Sequence, residues 1–279
     1  MKKLTKEELR KLQLIQLEIL IEFDKICKKH NLKYSLAGGT LIGAIRHKGF
    51  IPWDDDIDVT MPRIDYNKFT EIQKKELNKD KYYFQNMDTD DDYVMLSAKI
   101  RRKNSIYSES LNNMNKEKQG IWIDIFPMDN TSNNLFIAKI NYLRILILKI
   151  GLSYKCNNEC YSPVLYKKII LNIIKLFSKV HSIKYYKNKL KKLSEKYNNK
   201  NSKYVVSNAG VYLFKEIIES KYFDSLTSVE FEGYKFNAPK DYDNYLKHYY
   251  NDYMKLPPKD KQVSNHFISE IKFPNEKEK

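Results

Sequence analysis

The chain has 279 residues, enough to bury the core of one large domain or two small ones, and 42% of them are apolar, which excludes a disordered protein. Its formal net charge of +15 has two explanations: lysines that are simply solvated surface, or an anionic partner such as nucleic acid, nucleotide phosphates or a membrane face. Residues 1–13 lack the apolar run of a secretion signal, and the three cysteines are few, so we expect a reducing, cytoplasmic location.

The first third of the chain predicts alternating helices and strands. Apolar residues recur at steps of three or four over residues 4–30, which predicts an amphipathic helix. A short strand is predicted over 34–37, a turn at Gly38-Gly39, and a second helix that begins at Thr40. An acidic strand follows and ends at Pro62.

The acidic strand carries four aspartates among apolar neighbours. In an extended chain Asp54, Asp56 and Asp58 would point to one side and Asp55 to the other. Carboxylates on one strand face repel each other, so solvent or a cation must relieve the repulsion. An ordinary solvated acidic bend is the alternative. The preceding tryptophan and the β-branched neighbours favour a rigid strand instead.

Further elements are predicted from the same patterns. They are a helix over 65–77, extended segments beginning at 82 and 94, a polar loop over 104–119, and an apolar strand over 121–127. That last strand, with the sequence IWIDIFP, contains Asp124. Burying a carboxylate is costly, so Asp124 either pairs with an arginine or completes a site with the earlier aspartates.

Residues 133–200 are both apolar and basic. Charged residues interrupt the run 135–152 too often for a transmembrane helix. We interpret this run and a second one over 166–193 as two core helices with a basic solvent face. Docking of these helices on an anionic membrane is the alternative.

The last part of the chain returns to mixed structure. A strand is predicted over 204–208, a hairpin over 231–236 that bends at Gly233, and a helix over 242–250. We therefore divide the chain into a catalytic core (1–132), a basic apolar helical region (133–200) and a C-terminal α/β portion that completes the core (201–279). Cys156 and Cys160 form at most half of a zinc site, and packing is the simpler interpretation.

Several residues suit the binding of a metal and a phosphate. Mg²⁺ prefers oxygen ligands and commonly uses one or two carboxylates together with substrate phosphates, a role that fits Asp56 and Asp58. Backbone amides at the start of a helix can hold a phosphate, a role open to Gly38-Gly39, although a tight turn explains these glycines equally well.

Two long motifs resemble those of a known family. The segments GGTLIGAIRHKGFIPWDDDIDVTMPRIDYNKF and IWIDIFPMD, with the C-terminal PKDYDNYLKHYYNDYMKLPPKDK, resemble the LicD family of phosphocholine transferases, within the polymerase-β-like nucleotidyltransferase superfamily. The family's Gly-Gly, D-x-D and third acid fall on Gly38-Gly39, on Asp56 with Asp58, and on Asp124. The resemblance implies an α+β fold: a nucleotidyltransferase-like mixed β-sheet flanked by helices, with a helical insertion.

The resemblance also implies a reaction. It is the transfer of phosphocholine, or a similar alcohol phosphate, from CDP-choline or a related CDP-alcohol to a hydroxyl of a cell-surface glycan or glycolipid precursor, as in the modification of teichoic acid or lipopolysaccharide. Mg²⁺ or Mn²⁺ would lie at Asp56, Asp58 and Asp124, and Asp124 would position a second metal or accept the hydroxyl proton. The donor-binding residues expected are Gly38, Gly39, Thr40, Arg46, Lys48, Lys99 and Arg101, with solvated surface charge as the alternative for the four cations.

Other functions remain open from the sequence alone. A glycosyltransferase also uses D-x-D with a metal, and a non-catalytic basic protein could bind a membrane or nucleic acid. The three spaced acids argue against nucleic acid, because they would repel its phosphates. The tyrosines over 242–253 suit either an aromatic box for a quaternary ammonium or ordinary packing, and His266 has no assigned role. The family's Tyr-Gly-Asp is Tyr250-Asn251-Asp252 here.

Overall fold

A seven-stranded mixed sheet carries Asp58 and Asp124 on two neighbouring strands. The computed structural model describes residues 4–109, 120–156, 160, 162–264 and 268–274. Its strands are β1 (Ser35–Leu36), β2 (Asp58–Pro62), β3 (Tyr82–Gln85), β4 (Ala98–Arg102), β5 (Ile106–Glu109), β6 (Trp122–Asn130), β7 (Tyr204–Ser207), β8 (Ile217–Glu219), β9 (Leu226–Phe231), β10 (Tyr234–Pro239) and β11 (Ile268–Lys272). Its helices are α1 (Lys6–Lys29), α2 (Gly38–His47), α3 (Arg63–Glu76), α4 (Leu135–Lys155), α5 (Leu165–Ser178), α6 (Ile183–Ser194) and α7 (Tyr242–Tyr250).

The sheet is built around β6. Five strands follow the order β1-β2-β6-β4-β3, and β7 pairs with the end of β6 and with β8. The pair β2–β6 is parallel, whereas the other pairs in this sheet are antiparallel. Two small sheets, β9–β10 and β5–β11, complete the strand structure of the described residues. The prediction of an α+β fold with a mixed sheet and flanking helices is confirmed.

The predicted helix over 4–30 is confirmed as α1. It begins with a capping box, in which Thr5 and Glu8 exchange backbone-to-side-chain hydrogen bonds of 2.9 and 3.1 Å. Its apolar stripe is buried in the main core, with Phe23 fully covered. Past the end of the helix, Asn31 has φ +52, a left-handed conformation that asparagine tolerates better than most residues.

The strands 121–127 and 204–208, the hairpin and the helix over 242–250 are likewise confirmed as β6, β7, β9–β10 and α7. The hairpin turns at Glu232 and Gly233, both with positive φ, as a two-residue type I′ turn requires.

Three boundary predictions are wrong. Gly38-Gly39 does not form a separate turn, because both residues belong to the first turn of α2. Residues 54–57 belong to no strand, and β2 begins only at Asp58, where it meets β6. The predicted loop over 104–119 contains β5, whose partner β11 is distant in sequence. The rest of that loop, 110–119, lies outside the described residues.

Among its described residues, the region 133–200 holds three α-helices rather than the two predicted. α4 buries residues against β7 and β8 and against α6, in two small clusters separate from the main core. α5 packs against α4 and buries little of its own surface. Within the described part of the chain, no helix combines the length and the apolar character needed to cross a membrane. The three-part division of the chain stays a prediction.

Candidate active site

Two glutamine side chains of helix α1 hold the acidic segment, residues 54–57, in place. The side-chain amide of Gln13 donates to the carbonyl of Asp54 at 2.9 Å, and that of Gln16 donates to the carbonyl of Asp55 at 2.8 Å. Both glutamines are buried. Because Asp54 and Asp55 precede strand β2, the glutamines satisfy backbone acceptors that a sheet would otherwise satisfy.

Asp55 differs from the other acids of this segment. It is 1% exposed, and its Oδ2 accepts hydrogen bonds from the Tyr107 hydroxyl at 2.6 Å and the Ser264 hydroxyl. These bonds tie the acidic segment to β5 and to the C-terminal part of the chain. Asp55 therefore has a structural role in fixing the segment.

Asp58 and Asp124 are neighbours across the parallel pair β2–β6. They are register partners, so their side chains leave the sheet on the same face. Burial raises the pKa of Asp58 well above its ordinary value, and the carboxylates of Asp56, Asp124 and Asp54 raise it further. The structure thus brings together the three acids that the sequence singled out, Asp56, Asp58 and Asp124, with Asp54 beside them.

Asp124 is held by three donors. Its Oδ2 accepts from the Lys99 ammonium at 2.6 Å and from the Trp122 indole at 2.8 Å. Its Oδ1 accepts from the Ser97 hydroxyl at 3.3 Å. The Lys99 ammonium also lies 4.0 Å from the centre of the Trp122 ring. These contacts fix the direction of the carboxylate and place one positive charge at the acidic cluster.

The two glycines at the start of α2 leave room for the carboxylates. Gly38 has φ +55, and a Cβ there would lie 2.8 Å from Asp58 Oδ2. A Cβ at Gly39 would overlap Asp54 Oδ2. The next residue, Thr40, accepts a hydrogen bond from the backbone amide of Asp58 at 2.9 Å. The amino end of α2 therefore packs directly against the acids, and side chains larger than hydrogen would separate them.

The four cations expected to bind phosphate are placed differently. Lys99 lies at the acids. Burial lowers the pKa of Arg46, and the nearby charge of Asp54 opposes this effect. The Arg46 guanidinium donates to the Tyr253 carbonyl at 2.6 Å. Arg101 is buried and donates to the Gln85 side chain and the Gly120 carbonyl. Lys48 is exposed and has a left-handed backbone conformation. It caps the carboxyl end of α2, at the opposite end of the helix from Gly38. Their roles in binding stay predictions.

Tyr250 is a site neighbour that the sequence did not single out. Its hydroxyl would lie 3.7 Å from a Cβ at Gly38, and it contacts the Tyr212 hydroxyl at 3.4 Å. Burial raises the pKa of Tyr250, and Tyr212 and Asp58 raise it further. Tyr250 is the first residue of the Tyr250-Asn251-Asp252 motif. This motif is the sequence feature that could have identified Tyr250 as a site residue. Asn251 has φ +56 where the family has glycine, so the chain keeps the glycine-like conformation.

The donor set fits a hard divalent cation. Among the described residues, the one group of three or more possible metal-binding side chains is Asp54, Asp55 and Asp56, whose oxygens lie within 4.8 Å of one another. This group shares only Asp56 with the predicted metal ligands Asp56, Asp58 and Asp124, which stay a prediction. Carboxylate oxygens are the ligands that Mg²⁺ and Mn²⁺ prefer, and in addition to burial the charges of Asp56, Asp124 and Asp54 raise the pKa of Asp58. Cys156 belongs to no such group, and His266 lies outside the described residues.

Comparison with known protein families indicates the class of protein to which the chain belongs. Residues 31–143, which contain the glycines, the acids and Lys99, match the family model described as "LicD/FKTN/FKRP, nucleotidyltransferase domain".

Almost the whole chain also resembles a curated relative. It is 36% identical to the lipopolysaccharide cholinephosphotransferase LicD of Haemophilus influenzae, over 95% of this chain and 97% of the relative. Shorter segments match uncharacterized proteins of Rickettsia typhi, with 38% identity over 55 residues (20% of this chain and 18% of that protein), and of Rickettsia prowazekii, with 43% over 42 residues (15% and 16%). The chain belongs to the LicD family, as the motifs predicted.

Proposed function

We propose that this protein transfers phosphocholine, or a similar alcohol phosphate, from a CDP-activated donor to a hydroxyl of a cell-surface glycan precursor. The observation that carries the proposal is the contact of the Gly38-Gly39 helix start with Asp58 and Asp54, next to Asp124. The relative from H. influenzae, which matches along almost its whole length, is a lipopolysaccharide cholinephosphotransferase. Lipopolysaccharide or a similar glycolipid is therefore the acceptor to test first.

Asp56 and Asp58 would hold Mg²⁺ or Mn²⁺, which would supply charge neutralisation for a diphosphate. The start of α2 offers backbone amides and the positive end of the helix dipole to the same phosphates. Lys99 adds a cation at the edge of the cluster.

Asp124 is the residue that we propose as proton acceptor. The acceptor oxygen attacks the phosphorus that carries choline, the bond from that phosphorus to the CMP oxygen breaks, and the hydroxyl proton passes to Asp124. Lys99, Trp122 and Ser97 hold the Asp124 carboxylate in one direction before substrate binds. We further propose a cytoplasmic location, consistent with the free thiols of all three cysteines.

A donor panel tests the reaction. The protein is incubated with Mg²⁺, lipopolysaccharide and one of CDP-choline, CDP-ethanolamine, CDP-glycerol or UDP-glucose, and release of CMP or UDP is followed with and without acceptor. We expect acceptor-dependent CMP release from CDP-choline. Release of UDP alone would favour a glycosyltransferase, and no release from any donor would contradict both transferase assignments.

A matched pair of variants tests the site. Asp56→Asn removes a charge from the acidic cluster and should lower CMP release by at least about a hundredfold, with an unchanged circular dichroism spectrum. Asp80→Asn makes the same change at an exposed acid outside the site and should leave release unaltered. Equal release by Asp56→Asn and the unmodified protein would show that these acids do not form the active site.

A further inference from the structure

Helix α5 exposes an apolar face to solvent. Seven of its apolar side chains are half or more exposed, from 50% at Ile170 to 74% at Leu165. Ile169, Ile173 and Tyr166 form the centre of this face, with Leu165 and Leu176 on one side of it and Phe177 and Ile170 on the other. At about 100° per residue these seven positions fall within an arc of roughly 140°. The face is therefore continuous along the helix.

The opposite side of α5 packs against α4. Leu171 and Ile174 are partly covered there, and Ser178 is the buried residue of the helix. The exposed face is thus not the one that attaches α5 to the rest of the fold. A patch of this kind on a soluble protein indicates a surface that binds a partner or a membrane.

The charge around this face identifies the partner. Residues 133–200 contain fifteen lysines and arginines and two glutamates, so they hold a charge of +13 out of the chain's +15. Lys167, Lys168 and Lys175 lie on α5 itself, which has no acidic residue, and Lys179 follows it. Apolar residues that can enter a bilayer, flanked by lysines that can reach its headgroups, suit an anionic membrane surface.

We propose that α5 docks in the plane of an anionic lipid bilayer, with its apolar face inserted among the acyl chains and its lysines at the phosphates. A protein partner would have to be both apolar and strongly acidic over the length of a helix. An anionic bilayer offers both properties to any surface of this kind. The proposal is independent of the phosphotransfer reaction, because it concerns binding without turnover.

Vesicle sedimentation tests the proposal. The full chain is mixed with vesicles of phosphatidylglycerol and phosphatidylcholine, or of phosphatidylcholine alone, without donor or acceptor. We expect binding to the anionic vesicles, and at least about tenfold weaker binding to the neutral ones or in 1 M salt, because screening removes the lysine contribution. Equal binding to both vesicle types, or none to the anionic ones, would overturn the proposal.

Two double variants test the face itself. Ile169→Ser with Ile173→Ser removes two side chains from the centre of the face, and should weaken binding to anionic vesicles at least about tenfold. Leu14→Ser with Ile64→Ser removes two side chains of comparable exposure on α1 and α3, and should leave binding within about twofold. Equal binding by both variants would overturn the proposal.

Self-association is measured in the same preparations. In sedimentation velocity without lipid we expect the same species for the unmodified protein and for Ile169→Ser with Ile173→Ser. A dimer of the unmodified protein that this variant dissociates would assign the face to a second copy of the chain, and would also overturn the proposal.

Discussion

Gly38 and Gly233 have the same backbone requirement but different surroundings. Both have positive φ, of +55 and +79. A Cβ at Gly38 would meet the Asp58 carboxylate at 2.8 Å, whereas at Gly233 no atom lies within 4 Å. Comparison of the two positions therefore separates backbone strain from displacement of the acid.

We expect Gly38→Ala and Gly233→Ala each to lower the free energy of unfolding by about 1–2 kcal/mol, because alanine is strained in this conformation. Gly38→Ala should also lower CMP release about a hundredfold, since Asp58 must move, whereas Gly233→Ala should release CMP normally. Urea denaturation and the CMP assay measure the two effects. Normal release by Gly38→Ala would mean that the distance between Gly38 and Asp58 does not matter for the reaction.

Residue type and spacing are enough to indicate most of this site. The acids can be recognised because Asp56 and Asp58 are two apart beside β-branched residues, and because Asp124 interrupts an apolar run. Residue type and spacing do not identify Tyr250 as a site neighbour, because its approach to Gly38 depends on how distant segments of the chain pack. The structural use of Arg101, on Gln85 and Gly120, also depends on contacts between distant segments.

At the scale of elements, periodicity predicts the parts whose pattern is local. Helix α1 has a capping box and a long apolar stripe, and the hairpin β9–β10 has Gly233 at its turn. The prediction of a loop misses β5, because its pairing partner β11 follows about 160 residues later and a four-residue strand has little pattern of its own. The patterns do not separate α5 from α6, because similar apolar and basic residues continue through the connection.

A buried ion pair joins α3 to the end of β6. Arg63 donates to both oxygens of Asp129 at 2.7 and 2.9 Å, and Asp129 is fully buried. Asn198 and Asn208 also donate to this carboxylate. Although burial opposes the charge of Arg63, Asp129 outweighs this effect and raises the pKa of the guanidinium. One acid thus connects α3, β6 and the two segments around β7.

Arg63→Met should lower the free energy of unfolding by about 3–5 kcal/mol, because it leaves the Asp129 charge buried without its cation. The control on the same helix is Lys74→Met, which removes an exposed ion pair with Glu71 and should not shift the urea midpoint measurably. Similar midpoints for the two variants would show that Asp129 does not need Arg63 for its burial.

At the scale of the whole molecule, the main core draws on both ends of the chain. It contains Phe23 from α1, β-strand residues from the sheet, Phe231 and Phe236 from the hairpin, and Leu246 from α7. The segment matched by the family model, 31–143, therefore lacks much of the core into which it folds. Leu190, by contrast, lies in a small cluster of α4 and α6 with Ile145, Leu152 and Tyr186.

This arrangement predicts that the helical region opens separately from the core. Phe231→Ala and Leu190→Ala each remove a fully buried side chain and should cost about 2–5 kcal/mol locally. In hydrogen exchange, we expect Phe231→Ala to accelerate exchange in α1 as well as in the hairpin, because they share one core. Leu190→Ala should accelerate it in α4 and α6 and leave α1 unchanged, since few buried contacts join the two clusters. Equal acceleration of α1 by both variants would mean that residues 133–200 unfold with the core as a single unit, and would contradict the predicted division of the chain.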